Sequence, residues 1–168
     1  MAGNELVEWK DEDYDAFKAA LHHVCRTLSR GIAADGEGAT KLMTCIMHNA
    51  RSEETAERLA KAVVASSLVK AAMYGSDANW GRVLCAMGYS KAPFRPEYVD
   101  VTFQSDAGSI LVCQQGEQVK FDETLAKQVL SAKEVIIDVN LNEGNESAEC
   151  WGCDLTYDYV KINGDYRT

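Results

Sequence analysis

The glycine-rich acidic segment DGEGATK, Asp35–Lys41, holds the side chain best suited to bind a ligand. Glu37 stands between two glycines, which allow the backbone to approach a ligand closely and keep the carboxylate outside regular helices and strands. Two acids in the segment would repel phosphate, and the pattern of a nucleotide-binding P-loop is absent. The segment therefore suits a cationic ligand such as an amine. The alternative is a helix C-terminus followed by a solvated turn, and spacing alone does not decide between the two.

The motif CWGC, Cys150–Cys153, has the spacing of a redox pair or of half a zinc site. The sequence holds no second C-x-x-C motif, and its three histidines have no zinc-ligand spacing with this one. Redox pairs of this type open a helix after a strand, whereas this pair is predicted to open a strand. We therefore expect neither redox nor metal chemistry, and we predict six free thiols. Four of them lie in apolar segments and are expected to be buried: Cys25, Cys45, Cys85 and Cys113.

The C-terminal segment CWGCDLTYDYVKINGDYRT keeps a regular pattern up to its last residue. Apolar and aromatic side chains recur at every second position from Trp151 to Tyr159, which predicts a strand that continues to the terminus. The last residues offer hydrogen-bonding and charged groups: the Asn163 amide, Asp165, Arg167, and Thr168 with its carboxylate.

Helices predicted from apolar periodicity must position these residues. The first begins at a plausible N-cap, Asp13, and ends at Gly31. A second is predicted after an N-cap at Ser52, and the helical pattern continues to a stop at Gly75. A third is predicted after an N-cap at Asp77, and another in FDETLAKQVLSA. The first helix has apolar residues three and four positions apart that we expect to be buried: Tyr14, Phe17, Leu21, Val24 and Leu28.

Strands are predicted between these helices. LMTCIMH, Leu42–His48, is apolar on both faces, as in a strand covered on both sides. Val99–Gln104 and Ser109–Gln114 flank a turn that contains Asp106-Ala107-Gly108, which indicates a hairpin. KEVIIDVNLN is a further strand. Because helices and strands interleave and a hairpin is present, we predict an α/β fold with a mixed sheet layered with helices.

Length and charge restrict the class of protein. A chain of 168 residues fits one domain, residues 1–168. The net charge is -9, from 26 acidic and 17 basic residues without a basic run, which disfavours nucleic acid as a partner. Lys61 and Lys70 interrupt the longest apolar region, so we expect no membrane span. The first residues lack the pattern of a signal peptide, and we expect a cytoplasmic protein.

Three stretches, DGEGATK, SSLVKAAMYGSDANWGR and WGCDLTYDYVKINGDYRT, occur in this order and closely resemble the ornithine acetyltransferase family of arginine biosynthesis. Its members are also called glutamate N-acetyltransferases. The resemblance runs from about Asp11 to the last residue and implies the family's fold, which carries an autocatalytically processed nucleophile. It also implies that Glu37, Asn163 and Thr168 bind substrate. Acetylornithine presents an amine, a carboxylate and an amide, which call for an acid and for hydrogen-bonding groups.

Members of this family cut themselves before a threonine, which becomes the first residue of the β chain and the nucleophile. That threonine lies in an ATM-type motif, Ala-Thr-Met, and this motif does not occur in the present sequence. The resemblance thus implies the C-terminal portion of a β chain without a catalytic residue. Its expected partners are the α chain and the N-terminal part of the β chain, in a higher oligomer. It implies no cofactor and no metal, with acetyl-CoA as a substrate where N-acetylglutamate synthase activity is also present. The alternatives are a non-catalytic domain that binds an amino acid or a partner chain and, less favoured, a CWGC thiol redox protein.

Overall fold

The computed structural model describes residues 12–165 of the chain. None of the helices in this range combines the length and the apolar character needed to cross a bilayer. Helices and strands interleave in the order α1 (Glu12–Ala34), β1 (Leu42–Ala50), α2 (Glu53–Ala65), α3 (Ser67–Tyr74), α4 (Trp80–Tyr89), a 3-10 turn (Pro96–Tyr98), β2 (Asp100–Ser105), β3 (Gly108–Gln114), β4 (Glu117–Gln118), α5 (Glu123–Leu130), β5 (Glu134–Asn140), β6 (Glu146–Cys153) and α6 (Tyr157–Asp165).

The strands form one six-stranded sheet in the order β4-β3-β2-β5-β1-β6. β1 and β5 are parallel, and the other neighbouring pairs are antiparallel. Leu42 of β1 lies opposite Glu134 of β5, while Cys45 of β1 lies opposite Cys150 of β6. The predicted mixed sheet layered with helices is confirmed, including the β2–β3 hairpin.

One face of the sheet carries the apolar core. Met43, Cys45 and Met47 alternate along β1 towards this face and are completely buried. α2 packs on β1 and β6, α5 packs on β2 and β3, and α3 and α4 pack on α2. The start of α2 is fixed as predicted, because the Ser52 side chain accepts a hydrogen bond from the backbone N–H of Thr55. The core therefore lies between the sheet and helices α2 to α5.

α1 lies on the opposite face of the sheet, beside β6, and its apolar stripe is not buried. Four of the five stripe residues are half exposed or more, for example Phe17 at 55% and Leu28 at 61%, and Tyr14 is partly buried. α1 approaches the sheet through polar side chains instead, because the Arg26 guanidinium forms an ion pair with Glu149 and lies over the ring of Trp151. The prediction of a buried stripe is wrong. Periodicity identified the helix, but it does not show whether this chain supplies a partner for the apolar side.

Three predicted helix boundaries are also wrong. α1 already includes Asp13 and continues beyond Gly31. A glycine in a helix costs only about 1 kcal/mol, and Gly31 has solvent around it, so the helix passes through. Asn79, rather than Asp77, caps α4, because the Asn79 side chain accepts the backbone N–H of Arg82 at 3.2 Å. The Asp77 carboxylate accepts a hydrogen bond from the Asn79 amide at 3.0 Å.

The predicted terminal strand ends at Cys153, and a helix follows it. CWGC therefore closes β6 instead of opening a strand. α6 begins after Thr156, whose hydroxyl accepts the backbone N–H of Tyr159 at 3.1 Å and so provides an N-cap. The alternating aromatic residues are not on one face of a sheet. Tyr157 instead meets the ring of Tyr74 at the end of α3 edge-on, with centroids 5.7 Å apart.

Candidate substrate-binding site

The loop Asp35–Lys41 is held by a buried aspartate that sequence reasoning did not single out. Asp154 directly follows β6 and is 3% exposed. Its Oδ1 accepts the backbone N–H groups of Thr40 and Lys41 at 2.8 and 3.0 Å, and its Oδ2 accepts the Thr40 hydroxyl at 2.5 Å. Three donors to one carboxylate offset its removal from water. Asp154 therefore fixes the end of the loop that enters β1.

The middle of the loop lies against the first turn of α6. The Thr156 hydroxyl donates to the carbonyl of Gly38 at 2.6 Å while it accepts the N–H of Tyr159, so one buried side chain joins loop and helix. Gly38 has a φ of +67°, and a Cβ on it would lie 2.8 Å from the backbone nitrogen of Tyr159. Both the left-handed conformation and the close approach require glycine at this position.

Glu37 and Asn163, two of the predicted binding residues, are in direct contact. The Asn163 Nδ2 donates to Glu37 Oε2 at 2.6 Å and to the carbonyl of Tyr159 at 2.9 Å. The carbonyl can only accept, which fixes the orientation of the amide. Within residues 12–165, Glu37 Oε1 and Asn163 Oδ1 have no hydrogen-bond partner. The pair therefore presents two acceptor atoms, one of them on a charged group, at an exposed surface.

Lys41, the last residue of the loop motif, has a structural task. Its ammonium donates to the carbonyls of Met73 and Leu130, each at 2.7 Å, and to the Ser76 hydroxyl at 2.8 Å. Burial lowers the pKa of Lys41, and the negative charge of Asp154 opposes that shift. The three N–H groups of the ammonium are thus occupied by protein acceptors, and they tie the loop to the ends of α3 and α5.

The third predicted binding residue, Thr168, lies outside the described residues, and its role stays a prediction. Two residues of the site were missed. Thr156 carried a usable signal, because a threonine one position before a segment with Asp158 in its first turn is an N-cap pattern. Asp154 carried none, since its partners lie more than a hundred residues away in the chain.

The two cysteines of CWGC point to opposite faces of β6. Cys150 pairs in register with Cys45 and packs on the core, whereas the sulfur of Cys153 would lie 2.5 Å from a Cβ placed on Gly36. Burial raises the pKa of the Cys150 thiol, and the charge of Glu57 raises it further, which is the opposite of an activated redox thiol. Between residues 12 and 165, no cluster of His, Cys, Asp and Glu could hold a metal ion.

The remaining cysteines are also unpaired. Cys45 and Cys113 are completely buried in their strands, as predicted. Cys25 and Cys85 are exposed, so the prediction of burial is wrong for these two. Cys25 lies on α1, whose apolar stripe is uncovered, and Cys85 lies on the solvent side of α4.

A cavity of about 580 Å³ lies elsewhere, between α1 and the open face of the sheet. Four of its charged groups form two ion pairs, Arg26 with Glu149 and Arg30 with Glu134, the second at 2.6 Å, and Trp151 forms part of its wall. Neither Glu37 nor Asn163 lines it. The contact between these two residues is an open surface feature and not the floor of this cavity.

Fold and site together define a mixed α/β domain in which an acidic loop and a C-terminal helix form a surface that accepts hydrogen bonds. The sequence model of the ArgJ family matches residues 1–168. The chain belongs to the ArgJ family.

Similar proteins agree with this assignment. The arginine biosynthesis bifunctional protein ArgJ 1 of Clostridium acetobutylicum is 51% identical over 167 residues, which are 99% of this chain and 41% of that protein. A glutamate N-acetyltransferase of Methanopyrus kandleri is 49% identical over 165 residues, 98% of this chain and 42% of that protein. The crystal structure of the arginine biosynthesis bifunctional protein argJ from Bacillus halodurans matches with a TM-score of 0.88 and 43% identity, over 98% of this chain and 76% of that one.

The resemblance inferred from the three sequence stretches is thus confirmed, and so is the fold class. The chain spans about two fifths of the length of the curated relatives it matches.

Proposed function

We propose that this chain is the substrate-binding C-terminal portion of a glutamate N-acetyltransferase that transfers an acetyl group from N-acetylornithine to glutamate. The names of its relatives support the reaction class. The observation that carries the proposal is the contact between Glu37 and Asn163, which leaves Glu37 Oε1 on the acidic loop and Asn163 Oδ1 on α6 without a partner among residues 12–165. An alkylammonium group donates three hydrogen bonds and carries a positive charge, so the amine of ornithine matches this surface.

In the proposed cycle, the acetyl group is carried by a threonine that lies outside this chain. The threonine hydroxyl attacks the acetyl carbonyl, and ornithine leaves with its amine protonated. The amine of glutamate then takes the acetyl group from the enzyme. This chain contributes binding and orientation. Glu37 holds the free amine of acetylornithine, the one that carries no acetyl group. Asn163 holds Glu37 and adds an amide oxygen, and Thr168 adds a hydroxyl and a carboxylate.

The same proposal includes partners and substrates beyond this chain. The α chain and the N-terminal part of the β chain complete the site, which fits the open position of Glu37 on the surface. The transfer from acetylornithine uses no cofactor, and acetyl-CoA is the acetyl donor of an additional synthase reaction. An intact mass spectrum of the native protein tests the partner assignment, because a co-purifying chain that begins with threonine is expected.

The decisive experiment replaces Glu37 by glutamine in the full-length protein. A charge-assisted hydrogen bond contributes about 1.5–3 kcal/mol, so kcat/KM for acetylornithine should fall about tenfold to a hundredfold, with little change in Tm. Asp35→Asn removes the same charge from the same loop without touching Asn163 and should cost less than about threefold. Deletion of Thr168 should also impair the reaction. Kinetics within about twofold of the parent for Glu37→Gln and for the deletion would reject the substrate site.

A second experiment separates the enzyme part from a non-catalytic amino-acid-binding domain. The 168-residue chain alone should transfer no acetyl group, and mixing it with the missing upstream portion should restore turnover. Robust turnover by the isolated chain would contradict the assignment of the nucleophile to another segment. Ligand binding without any turnover in the complete assembly would favour the non-catalytic alternative.

A further inference from the structure

We propose that Thr156 is a positioning residue for this reaction, because it sets the location of Asn163 relative to Glu37. Asp154 is the second anchor of the same arrangement. The inference rests on the proposed function, since it concerns how the proposed amine site is held in shape. Neither residue is exposed enough to touch a substrate: Asp154 is 3% and Thr156 is 4% exposed. Both act through the loop and the helix that carry the binding side chains.

Glu37 has no anchor of its own in the core. Its loop is held at the β1 end by Asp154, which accepts the N–H groups of Thr40 and Lys41. In the middle it is held by Thr156, which donates to the carbonyl of Gly38, the residue next to Glu37. These two side chains hold the loop on the C-terminal side of Glu37, at Gly38 and at Thr40 and Lys41, so they help to set the backbone position of Glu37.

The helix that carries Asn163 is held mainly by hydrogen bonds. α6 has no buried residue, so apolar packing contributes little to its position beyond the contact of the Tyr157 ring with Tyr74. Its first turn is held by the Thr156 hydroxyl, which accepts the N–H of Tyr159, and the carbonyl of Tyr159 in turn accepts from the Asn163 amide. One hydroxyl group thus connects, by two hydrogen bonds, both halves of the contact between Glu37 and Asn163.

The test is a double-mutant cycle on the full-length protein, with kcat/KM for acetylornithine as the readout. A neutral hydrogen bond contributes a factor of about two to twelve, so Thr156→Val, which removes two of them, should lower kcat/KM about tenfold. In a Glu37→Ala background the amine has lost its partner, and Thr156→Val should then change kcat/KM by less than about twofold. Thr156→Ser keeps the hydroxyl and should restore parental kinetics within about twofold.

Ser52→Ala is the matched control, since Ser52 caps α2 in the same way far from the loop. It should lower Tm comparably and leave kcat/KM unchanged. An equal loss from Thr156→Val in both backgrounds, or no loss in the parent, would overturn the positioning role. If Thr156→Val does not fold, Thr40→Val takes its place, because it removes one hydrogen bond to Asp154. It should lower kcat/KM less than Thr156→Val, with the same dependence on the presence of Glu37. An equal loss of kcat/KM with and without Glu37 would overturn the positioning role. If Glu37→Ala itself leaves the kinetics unchanged, the proposed function fails, and this inference falls with it.

Discussion

Replacing Gly38 by alanine tests whether the loop and α6 are docked as the structure shows. Gly38 has a φ of +67°, a conformation that L-residues rarely adopt. A Cβ at this position would also lie 2.8 Å from the backbone nitrogen of Tyr159 and 3.1 Å from the carbonyl carbon of Asp158. These neighbours are backbone atoms at the start of a helix, so they cannot move aside as the end of a flexible side chain can.

The magnitude follows from two contributions. The left-handed conformation costs an alanine about 1 kcal/mol. Relief of the contact must displace the first turn of α6, which breaks the hydrogen bond from Thr156 to the carbonyl of Gly38 at a cost of about 1 kcal/mol. The free energy of unfolding should therefore fall by about 2 kcal/mol, and Tm by about 4–8 °C for a chain of this length. The fall in the free energy of unfolding cannot exceed the free energy that docks α6 against the loop, because α6 can detach from the loop and so relieve the contact.

Thermal unfolding followed by circular dichroism gives the change in Tm, and hydrogen exchange of the α6 amides shows where it arises. Gly38→Asn is the informative comparison, since asparagine tolerates the left-handed conformation but carries the same Cβ; it should remain destabilised. Gly164→Ala, in α6 with open space around it, should be neutral or slightly stabilising. A Tm for Gly38→Ala within about 1 °C of the parent, with unchanged exchange in α6, would refute the docked arrangement.

Further predictions concern side chains outside the proposed amine site. Iodoacetamide at pH 8 should modify the exposed Cys25 and Cys85 first. Cys45 and Cys113 should react only after denaturation, because burial raises the pKa of both strand thiols. Peptide mass spectrometry of the native protein settles the order, and early labelling of Cys45 would contradict it. Lys41→Met should lower the free energy of unfolding by about 2 kcal/mol, because three buried acceptors lose their donor. The pKa of Lys41 in the folded chain lies below its ordinary value of 10.5. At pH values between these two pKa values the unfolded chain binds more protons, so the free energy of unfolding should increase as the pH rises. Chemical denaturation up to pH 10.5 should show this increase in the parent and not in the variant.

The parts of the fold that could be predicted are those in which local pattern and burial agree. β1 is a strand as predicted and lies between β5 and β6, although its faces are not both covered as expected: Met43, Cys45 and Met47 are completely buried, whereas the other face is only partly buried. α2 combines an N-cap at Ser52 with an apolar stripe that is completely buried. The prediction failed in α6, where a period of two among aromatic residues imitated a strand. The cap at Thr156 and the contact with the loop decide the structure there; the cap is local, whereas the contact with the loop depends on tertiary position.

The candidate site was predictable in its exposed side chains and not in its support. Glu37 is conspicuous because glycines flank it, and Asn163 came from the resemblance to a known family. Nothing local indicates that the two meet, since 126 positions separate them in the sequence. Asp154 has no local signal either, because its partners come from the loop before β1, and Thr156 is recognisable only as an N-cap, since its second partner, Gly38, lies in that same loop. Pairing of that kind is visible only in a three-dimensional structure.

The support of α6 also explains why activity and stability should be separable in this protein. The core lies on the face of the sheet covered by α2 to α5, whereas the loop and α6 are joined by polar contacts at its margin. Hydrogen bonds specify geometry but add little net stability, since the same groups bind water in the unfolded chain. A change at Thr156 or Asn163 should therefore alter the shape of the site before it threatens the fold. A change at Met43 or Met47 should do the reverse, because their side chains are completely buried in the core.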